Sequence, residues 1–342
     1  MACRTRCSIP TSSEPRVAAA VFGARPRVLF SRCLGFAACR YNGQVLREPV
    51  VEQLKPFVDS AIVCPEVEIG LGVPRPPIRC VASSFGPRLV QPETGLDVTD
   101  AMDKFARAFL ASLGSCDGAV LKAGSPSCGL RDVRLYAGTE RGSSHTKTVG
   151  RFGAHVLEVS PPWPAEDEGR LRSFELRQHF FTRLFATARL RAAVASGRMA
   201  ELVAFQSREK LLLMAYNQTA MRALGRLVAN ADKRPFADVA AEYSLQFGHA
   251  LARAPRRTSA INVFEHALGY VSEKLSSREK AFFLKTLDDY RTGRVSLSAP
   301  VSLTRSLIVR FDVGYLEDQT FFEPFPKELA LVLDSGKGRD VR

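Results

Sequence analysis

Hydrophobic and polar positions follow two different periods along this chain. From about Arg27 to Ser160, short apolar runs alternate with stretches of helical spacing. The runs Val28-Leu29-Phe30, Ala61-Ile62-Val63 and Ala119-Val120-Leu121 are too short for helices and contain β-branched residues. Gly/Pro punctuation follows soon after each, so they are predicted as buried strands. Leu46 to Val58 and Thr99 to Leu113 carry helical spacing. Pro49 is expected in the first turn of the former, and the Thr99/Asp100 pair is the expected N-cap of the latter. Strand, loop, helix, strand is the rhythm of a parallel sheet. The run Pro161-Pro162-Trp163-Pro164-Ala165-Glu166-Asp167-Glu168-Gly169 interrupts it and is expected to be a linker. From Leu171 the period becomes 3.6. Helices are predicted over Phe174–Ser196, Arg198–Met214, Thr219–Ala231, Pro235–Arg253, Ala260–Leu275, Ser277–Arg291 and Ser302–Val309, with no strand among them. The expected architecture is an α/β parallel-sheet N-terminal domain at 27–160, a linker at 161–175 and a separate all-α C-terminal domain at 176–330. Residues 1–26 are expected to be a disordered extension and 331–342 a tail.

Cys33, Cys64 and Cys128 each sit at or just beyond the end of one predicted strand. If the strands are parallel neighbours, all three thiols emerge at the carboxyl edge of one sheet, where open α/β folds place ligand sites. Three converging thiols with no fourth in register suggest a metal centre with one open coordination position. No CxxC pair occurs, which argues against a ribbon-type zinc site. Dispersed single thiolates can instead hold an iron–sulfur cluster, because soft sulfur donors select such metals. Glycines close to two of these cysteines are expected to let backbone approach a bulky group. The competing reading is that these are ordinary buried thiols, which pack like small hydrophobes.

At 342 residues the chain is long enough for two cores. No apolar stretch approaches the roughly 18 residues of a membrane span. Eight cysteines in this length do not make a disulfide scaffold, so a reducing cytoplasm is the expected compartment. Residues 1–26 are Arg- and Ser-rich with a single acid, Glu14, and only superficially resemble a transit peptide. Net charge is +13, unevenly distributed. From Arg27 to Ser160 there are 16 Lys+Arg against 13 Asp+Glu, whereas from Arg170 to Arg234 there are 13 against 4. A basic face of that kind suits a polyanion such as nucleic acid, and equally describes a solvated helical surface.

Three blocks carry a resemblance. They are Cys33-Leu34-Gly35 with Cys39-Arg40-Tyr41-Asn42-Gly43; Cys64-Pro65-Glu66 with Gly70-Leu71-Gly72-Val73-Pro74-Arg75-Pro76-Pro77; and Leu121-Lys122 with Ser125-Pro126-Ser127-Cys128-Gly129. In order and spacing they resemble the desulfidase family typified by thiouracil desulfidase, TudS. The resemblance implies a [4Fe-4S] cluster on Cys33, Cys64 and Cys128 whose unique iron binds the sulfur of a thiolated pyrimidine. Cys39 is then a near-site thiol, and Cys80 and Cys116 are packing residues. Water attack at the ring carbon needs a general base and a proton donor. Glu66, two residues after a ligand, is the expected acid, and Ser125 and Ser127 are expected to orient water or substrate. Glu66 as a helix cap and Ser125-Pro126 as a plain turn are the competing readings. Lys122 and Arg75 are expected to contact phosphate or base, and Arg40 to be either a contact or a loop strut.

The second half resembles the helical YbgA-like domain through Phe205–Tyr216, Leu224–Asn230, Asn262–His266, Gly269-Tyr270 and Tyr290–Gly293. The sequence departs from that pattern at Ala260 and Ser306, where histidines are usual. The fusion of the two domains, called RudS, implies removal of sulfur from 4-thiouridine in tRNA. Arg170, Arg172, Arg177, Arg183, Arg189 and Arg191 crowd the segment beside the linker, and Arg183 and Arg189 are expected to face RNA. Phe180, Phe181 and Phe185 between them have the spacing of core residues. The leading expectation is an iron–sulfur desulfidase of thiolated uridine, within tRNA, with no ATP requirement, since neither a GxxxxGK[ST] loop nor an adenylation loop occurs. The alternatives are a desulfidase of free thiouracil-type bases, or a nucleic-acid-binding protein with a structural or redox-sensing cluster.

Overall fold

All three apolar runs form strands, and they are adjacent. The computed structural model describes residues 24–159 and 163–330, so the expectations for Met1 to Gly23, including Cys3 and Cys7, and for the 331–342 tail lie outside the described residues. Arg25, ahead of the first strand, donates to the Val58 carbonyl and pairs with Asp59.

Nine strands occur among the described residues: β1 (Arg27–Ser31), β2 (Asp59–Val63), β3 (Arg79–Val81), β4 (Arg88–Gln91), β5 (Leu96–Asp97), β6 (Gly118–Leu121), β7 (Val133–Tyr136), β8 (His145–Thr148) and β9 (Ala165–Asp167). The first sheet has the order β2-β1-β6-β9 and every pairing in it is parallel. Phe30 aligns with Ile62 on one side and Val120 on the other, so the three strands end level with one another. The fourth strand comes from the stretch expected to be a linker: Ala165, Glu166 and Asp167 pair with Ala119, Val120 and Leu121. Residues 79–148 supply a second, mixed sheet, β5-β4-β3-β7-β8, in which only β3 and β7 are parallel.

Four helices accompany the sheets: α1 (Pro49–Leu54), α2 (Pro65–Glu68), α3 (Thr99–Ser112) and α4 (Arg151–Val159). Pro49 occupies the first turn of α1, where its missing N–H costs nothing. The α3 start differs from expectation. Thr99 is already helical, Asp97 accepts its backbone N–H at 2.9 Å, and the Thr99 hydroxyl accepts the Leu89 N–H instead.

Beyond β9 the chain is helical: α5 (Phe174–Ala195), α6 (Met199–Arg208), α7 (Lys210–Tyr216), α8 (Gln218–Ala229), α9 (Phe236–Ala250), α10 (Arg257–Gly269), α11 (Ser277–Arg291), α12 (Ser298–Phe311) and α13 (Gly314–Glu317). The single helix expected over Arg198–Met214 is broken at Glu209. Gln319 holds the break open, donating to the Ser207 carbonyl and accepting the Leu211 N–H. Glu209 is fully buried and receives both Nε and Nη2 of Arg189 and the Thr320 hydroxyl. Phe180, Phe181, Leu184 and Phe185 of α5 pack into the same apolar cluster as Val28, Phe30 and Leu34, so the two halves share a core.

The arginine stripe therefore has a different role from the one expected. The third nitrogen of Arg189 donates to the Pro324 carbonyl. Arg191 is bound to Asp117, which is buried beside β6, and Arg172 to Glu48. Arg177 is fully buried, and burial lowers the pKa of Arg183. Arg191 and Arg172 tie the two halves together, whereas Arg189 and Arg177 are spent on partners within their own half. Removing one partner of a buried pair strands the other charge. Arg189→Ala is expected to destabilise the protein by about 3–5 kcal/mol, read as a lowered denaturant midpoint. An unchanged midpoint would show that Glu209 is not held by this pair.

Candidate active site

The level strand ends bring three loops to one edge. Cys33 lies two residues past β1, in a turn where Leu34 N–H bonds the Ser31 carbonyl. Cys64 follows β2 directly and stands at the N-cap position of α2. Cys128 returns to the edge from the loop after β6, held by its own N–H to Ser125 Oγ at 3.1 Å and by Gly129 N–H to the Ser125 carbonyl at 2.9 Å. All three line one cavity of about 600 Å³. Each is buried.

Glycines serve this loop in an unexpected way. A Cβ on Gly153 would lie 2.6 Å from the Gly129 carbonyl oxygen, and one on Gly150 would lie 2.6 Å from that of Ser127. A Cβ on Gly129 would meet Val133 and the Ser125 carbonyl. These positions let the start of α4 sit against the Cys128 loop; the close approach is backbone to backbone, not backbone to a bound group.

Cys39 is the fourth thiol of the site. The Cys64 thiol donates to the Cys39 carbonyl, and the neighbouring Cys33 thiol is the largest cause that pushes the Cys39 pKa up to about 11. The contact with Cys39, followed by burial, raises Cys64 as well. Burial pushes Cys128 up to about 12, against a hydrogen bond from Ser31. In the free site these thiols hold their protons, so a metal group must displace them. Cys80, expected to be a packing residue, also lines the cavity, its thiol donating to the Pro126 carbonyl. Cys116 lies elsewhere, donating to the Gly118 carbonyl.

Among the described residues no three His, Cys, Asp or Glu side chains are gathered tightly enough for a single metal ion. The trio lines a space rather than a point. Soft sulfur donors around such a space fit an iron–sulfur cluster.

Glu66, Ser127 and Ser125 come together as a chain of hydrogen bonds. Ser127 Oγ donates to Glu66 Oε1 at 2.7 Å, and Ser125 Oγ lies 3.0 Å from Ser127 Oγ. Arg75 Nε and Nη2 both donate to Glu66 Oε2, at 2.9 and 2.7 Å. Its Nη1 donates to the carbonyls of Cys39 and Gly72. Arg75 is thus a clamp on the acid and on the Cys39 loop, with no nitrogen left for a phosphate. Lys122 is likewise taken up, by Glu168 and the Ala123 carbonyl. Glu168 also accepts the Ala123 N–H, so the stretch expected as a linker supports the cavity floor. Arg40 does line the cavity, 5.6 Å over the Tyr41 ring and 3.4 Å from Gln44 Oε1.

Sequence reasoning missed Arg79, Arg134 and Tyr136 on the cavity wall. Their signal was the period-2 alternation of Arg79-Cys80-Val81 and Val133-Arg134-Leu135-Tyr136. In the helical half, Ala260 is buried, whereas Ser306 is exposed and its hydroxyl donates to the Leu303 carbonyl. Among the described residues no helix is long and apolar enough to cross a membrane.

Comparison with known proteins agrees with this division. A family model described as 2-thiouracil desulfurase matches residues 28–168, and one described as a protein of unknown function, DUF1722, matches residues 210–326. The chain is 30% identical over 126 residues to the uncharacterized protein YbbK of Bacillus subtilis (strain 168), covering 35% of this chain and 82% of that protein. It is 27% identical over 131 residues to the uncharacterized protein YbgA of Escherichia coli (strain K12), covering 38% and 78% respectively. A solved structure of a [4Fe-4S]-dependent thiouracil desulfidase, TudS, is 29% identical, spans 43% of this chain and 93% of its own, and superposes with a TM-score of 0.35. Through residues 28–168 the chain belongs to the 2-thiouracil desulfurase family, and it carries a DUF1722 region behind that domain.

Proposed function

We propose that this protein is an iron–sulfur desulfidase that converts a thiolated pyrimidine to its oxygen form, with 4-thiouridine in tRNA as the substrate. The observation that carries the reading is one cavity lined by Cys33, Cys64 and Cys128 together with the Glu66–Ser127–Ser125 chain. Held by those three cysteines, a [4Fe-4S] cluster would supply a soft Lewis acid for the thiocarbonyl sulfur. The rest is work for the chain's own side chains. The overall change is hydrolytic: water supplies oxygen to the ring carbon, the C–S bond breaks, and hydrogen sulfide leaves with no change of oxidation state. Ser125 and Ser127 are placed to orient the attacking water, and Ser127 to pass its proton to Glu66 Oε1. Arg75 fixes the carboxyl group for that transfer, and the proton returns from Glu66 to the departing sulfide. A tRNA substrate is supported by the fusion to the DUF1722 region and by surface cations in it. Lys210, Arg222 and Arg226 are exposed, unlike Arg191 of α5, which is paired with Asp117.

The deciding assay incubates the anaerobically reconstituted protein with 4-thiouracil, 4-thiouridine and thiolated tRNA, and follows loss of the thiocarbonyl absorbance. Loss with tRNA is the expected result. Loss with the free base alone would overturn the tRNA part, and no loss despite a full cluster would leave a structural or sensing role. Cys33→Ala, Cys64→Ala and Cys128→Ala are each expected to abolish cluster retention, measured as iron and acid-labile sulfide per chain. Cys39→Ala should retain the cluster; if it does not, the ligand set is different. Glu66→Gln is expected to lower kcat by about 10²–10⁴-fold at unchanged iron content, the range typical of a lost general base. A kcat within twofold of the parent would remove Glu66 from the reaction.

A further inference from the structure

Cys128 reaches the cavity from a different layer than its companions. Cys33, Cys39 and Cys64 belong to one apolar cluster and Cys128 to another. Val28 and Phe30 of β1 join the first cluster and Leu29 the second, so the two clusters lie on opposite faces of the parallel sheet. Alternation then puts Ser31, the last residue of β1, on the Leu29 and Cys128 side. Ser31 is 1% exposed and lines the cavity. A hydroxyl buried at the end of an apolar strand needs hydrogen-bond partners.

Counting hydrogens identifies them. Ser31 Oγ accepts the Lys122 N–H at 2.9 Å. That contact fixes the oxygen and leaves its one hydrogen to donate, and the hydroxyl hydrogen-bonds the Cys128 side chain. Ser127 also approaches, with its Oγ 3.9 Å from Cys128 Sγ. Its single hydrogen goes instead to Glu66 Oε1 at 2.7 Å. Ser31 is thus the hydroxyl donor to Cys128, and Ser127 serves the acid. Burial disfavours the thiolate that a metal group requires of Cys128, and the Ser31 donor opposes that cost.

We propose that Ser31 is a positioning residue for the Cys128 ligand: oriented by the Lys122 N–H, its hydroxyl donates to the ligating sulfur, holds it on the metal group and raises that group's reduction potential. The proposal rests on the iron–sulfur reading of the cavity and adds to it a residue outside the Glu66–Ser127–Ser125 chain. A hydrogen bond to a ligating thiolate draws electron density from the metal and favours the reduced form.

The test compares the reconstituted full chain with Ser31→Ala, Ser31→Thr and Ser127→Ala. Anaerobic potentiometric titration, followed by electron paramagnetic resonance, reads the reduction potential. Ser31→Ala is expected to shift it to a more negative value. The same variant should lose its cluster to EDTA about 10–100-fold faster, the range for a lost partner of a metal ligand. Ser31→Thr, which keeps the hydroxyl, should return both towards the parent. Ser127→Ala should leave the potential in place although it lowers turnover. If the threonine methyl does not fit, seen as a lowered denaturant midpoint, Ser31→Ala against Ser127→Ala decides alone. A second readout needs no metal: alkylation of Cys128 by iodoacetamide in the metal-free protein, mapped by mass spectrometry. Ser31→Ala should slow it by about threefold or more, because less thiolate forms, while Cys80 in the same cavity keeps its rate. Unchanged potential and unchanged alkylation in Ser31→Ala, or an equal shift of potential in Ser127→Ala, would overturn the assignment. Slower alkylation in Ser31→Ala with no iron retained by the parent chain would uphold the contact and sink the iron–sulfur reading instead.

Discussion

Parallel pairing of β1 with both β2 and β6 is the constraint from which the site follows. Because Phe30 is level with Ile62 and Val120, the chain leaves all three strands at one edge. A one-residue slip of either neighbour would turn its side chains to the other face and carry its cysteine with it. Arg75 then fixes what the register leaves free. One buried guanidinium bonds the acid of α2, the carbonyl of Cys39 and the carbonyl of Gly72, so three loop segments move as one. A buried charge with four of its five N–H donors bonded is costly to disturb, which suits a group that must hold Glu66 at hydrogen-bond distance from Ser127.

Charge in this chain divides into two populations that composition cannot separate. The excess between Arg170 and Arg234 invited a polyanion surface, yet its densest part is structural. Arg191 reaches Asp117 beside the parallel sheet, Arg172 reaches Glu48 ahead of α1, and Arg189 fills the gap in the broken helix at Glu209. Such pairs are long-range in sequence, so a local count sees only the cations. The region 27–160, nearly neutral by count, is where unmatched arginines face a cavity. Net charge per segment therefore does not distinguish arginines spent on ion pairs from those that face open space.

The sequence was legible where one signal dominated. Runs such as Val28-Leu29-Phe30 are apolar because both faces of a central parallel strand are covered, and the helical period after Leu171 is long and regular. Glu66, Ser125 and Ser127 could be picked out because they lie close to Cys64 and Cys128, although the Ser127–Glu66 hydrogen bond spans 61 residues. The second sheet was not legible: β3 and β5 are three and two residues long, and β8 is polar throughout. Its pairings, not its residues, make it a sheet. Ala165–Asp167 looked like a linker because prolines precede it; the parallel bond to β6 overrides that composition. Arg75 and Lys122 were misread for the reverse reason, since the carboxylates that neutralise them could not be placed beside them.

The union of the two halves bears on how a large substrate could reach the cavity. Leu184 and Phe181 of α5 belong to the same apolar cluster as Cys33, Cys39 and Cys64; the Arg191–Asp117 pair ties α5 to the start of β6, and the Arg172–Glu48 pair ties the turn before α5 to the start of α1. Separating the halves would expose that cluster and strand buried carboxylates, so access cannot depend on domain opening at modest cost. Arg40, Arg79 and Arg134 line the cavity at half-buried or exposed positions. A cavity of about 600 Å³ that must also hold a metal group has room for one pyrimidine ring, not for a base pair. A uridine within folded RNA would have to leave its stack for its ring to enter.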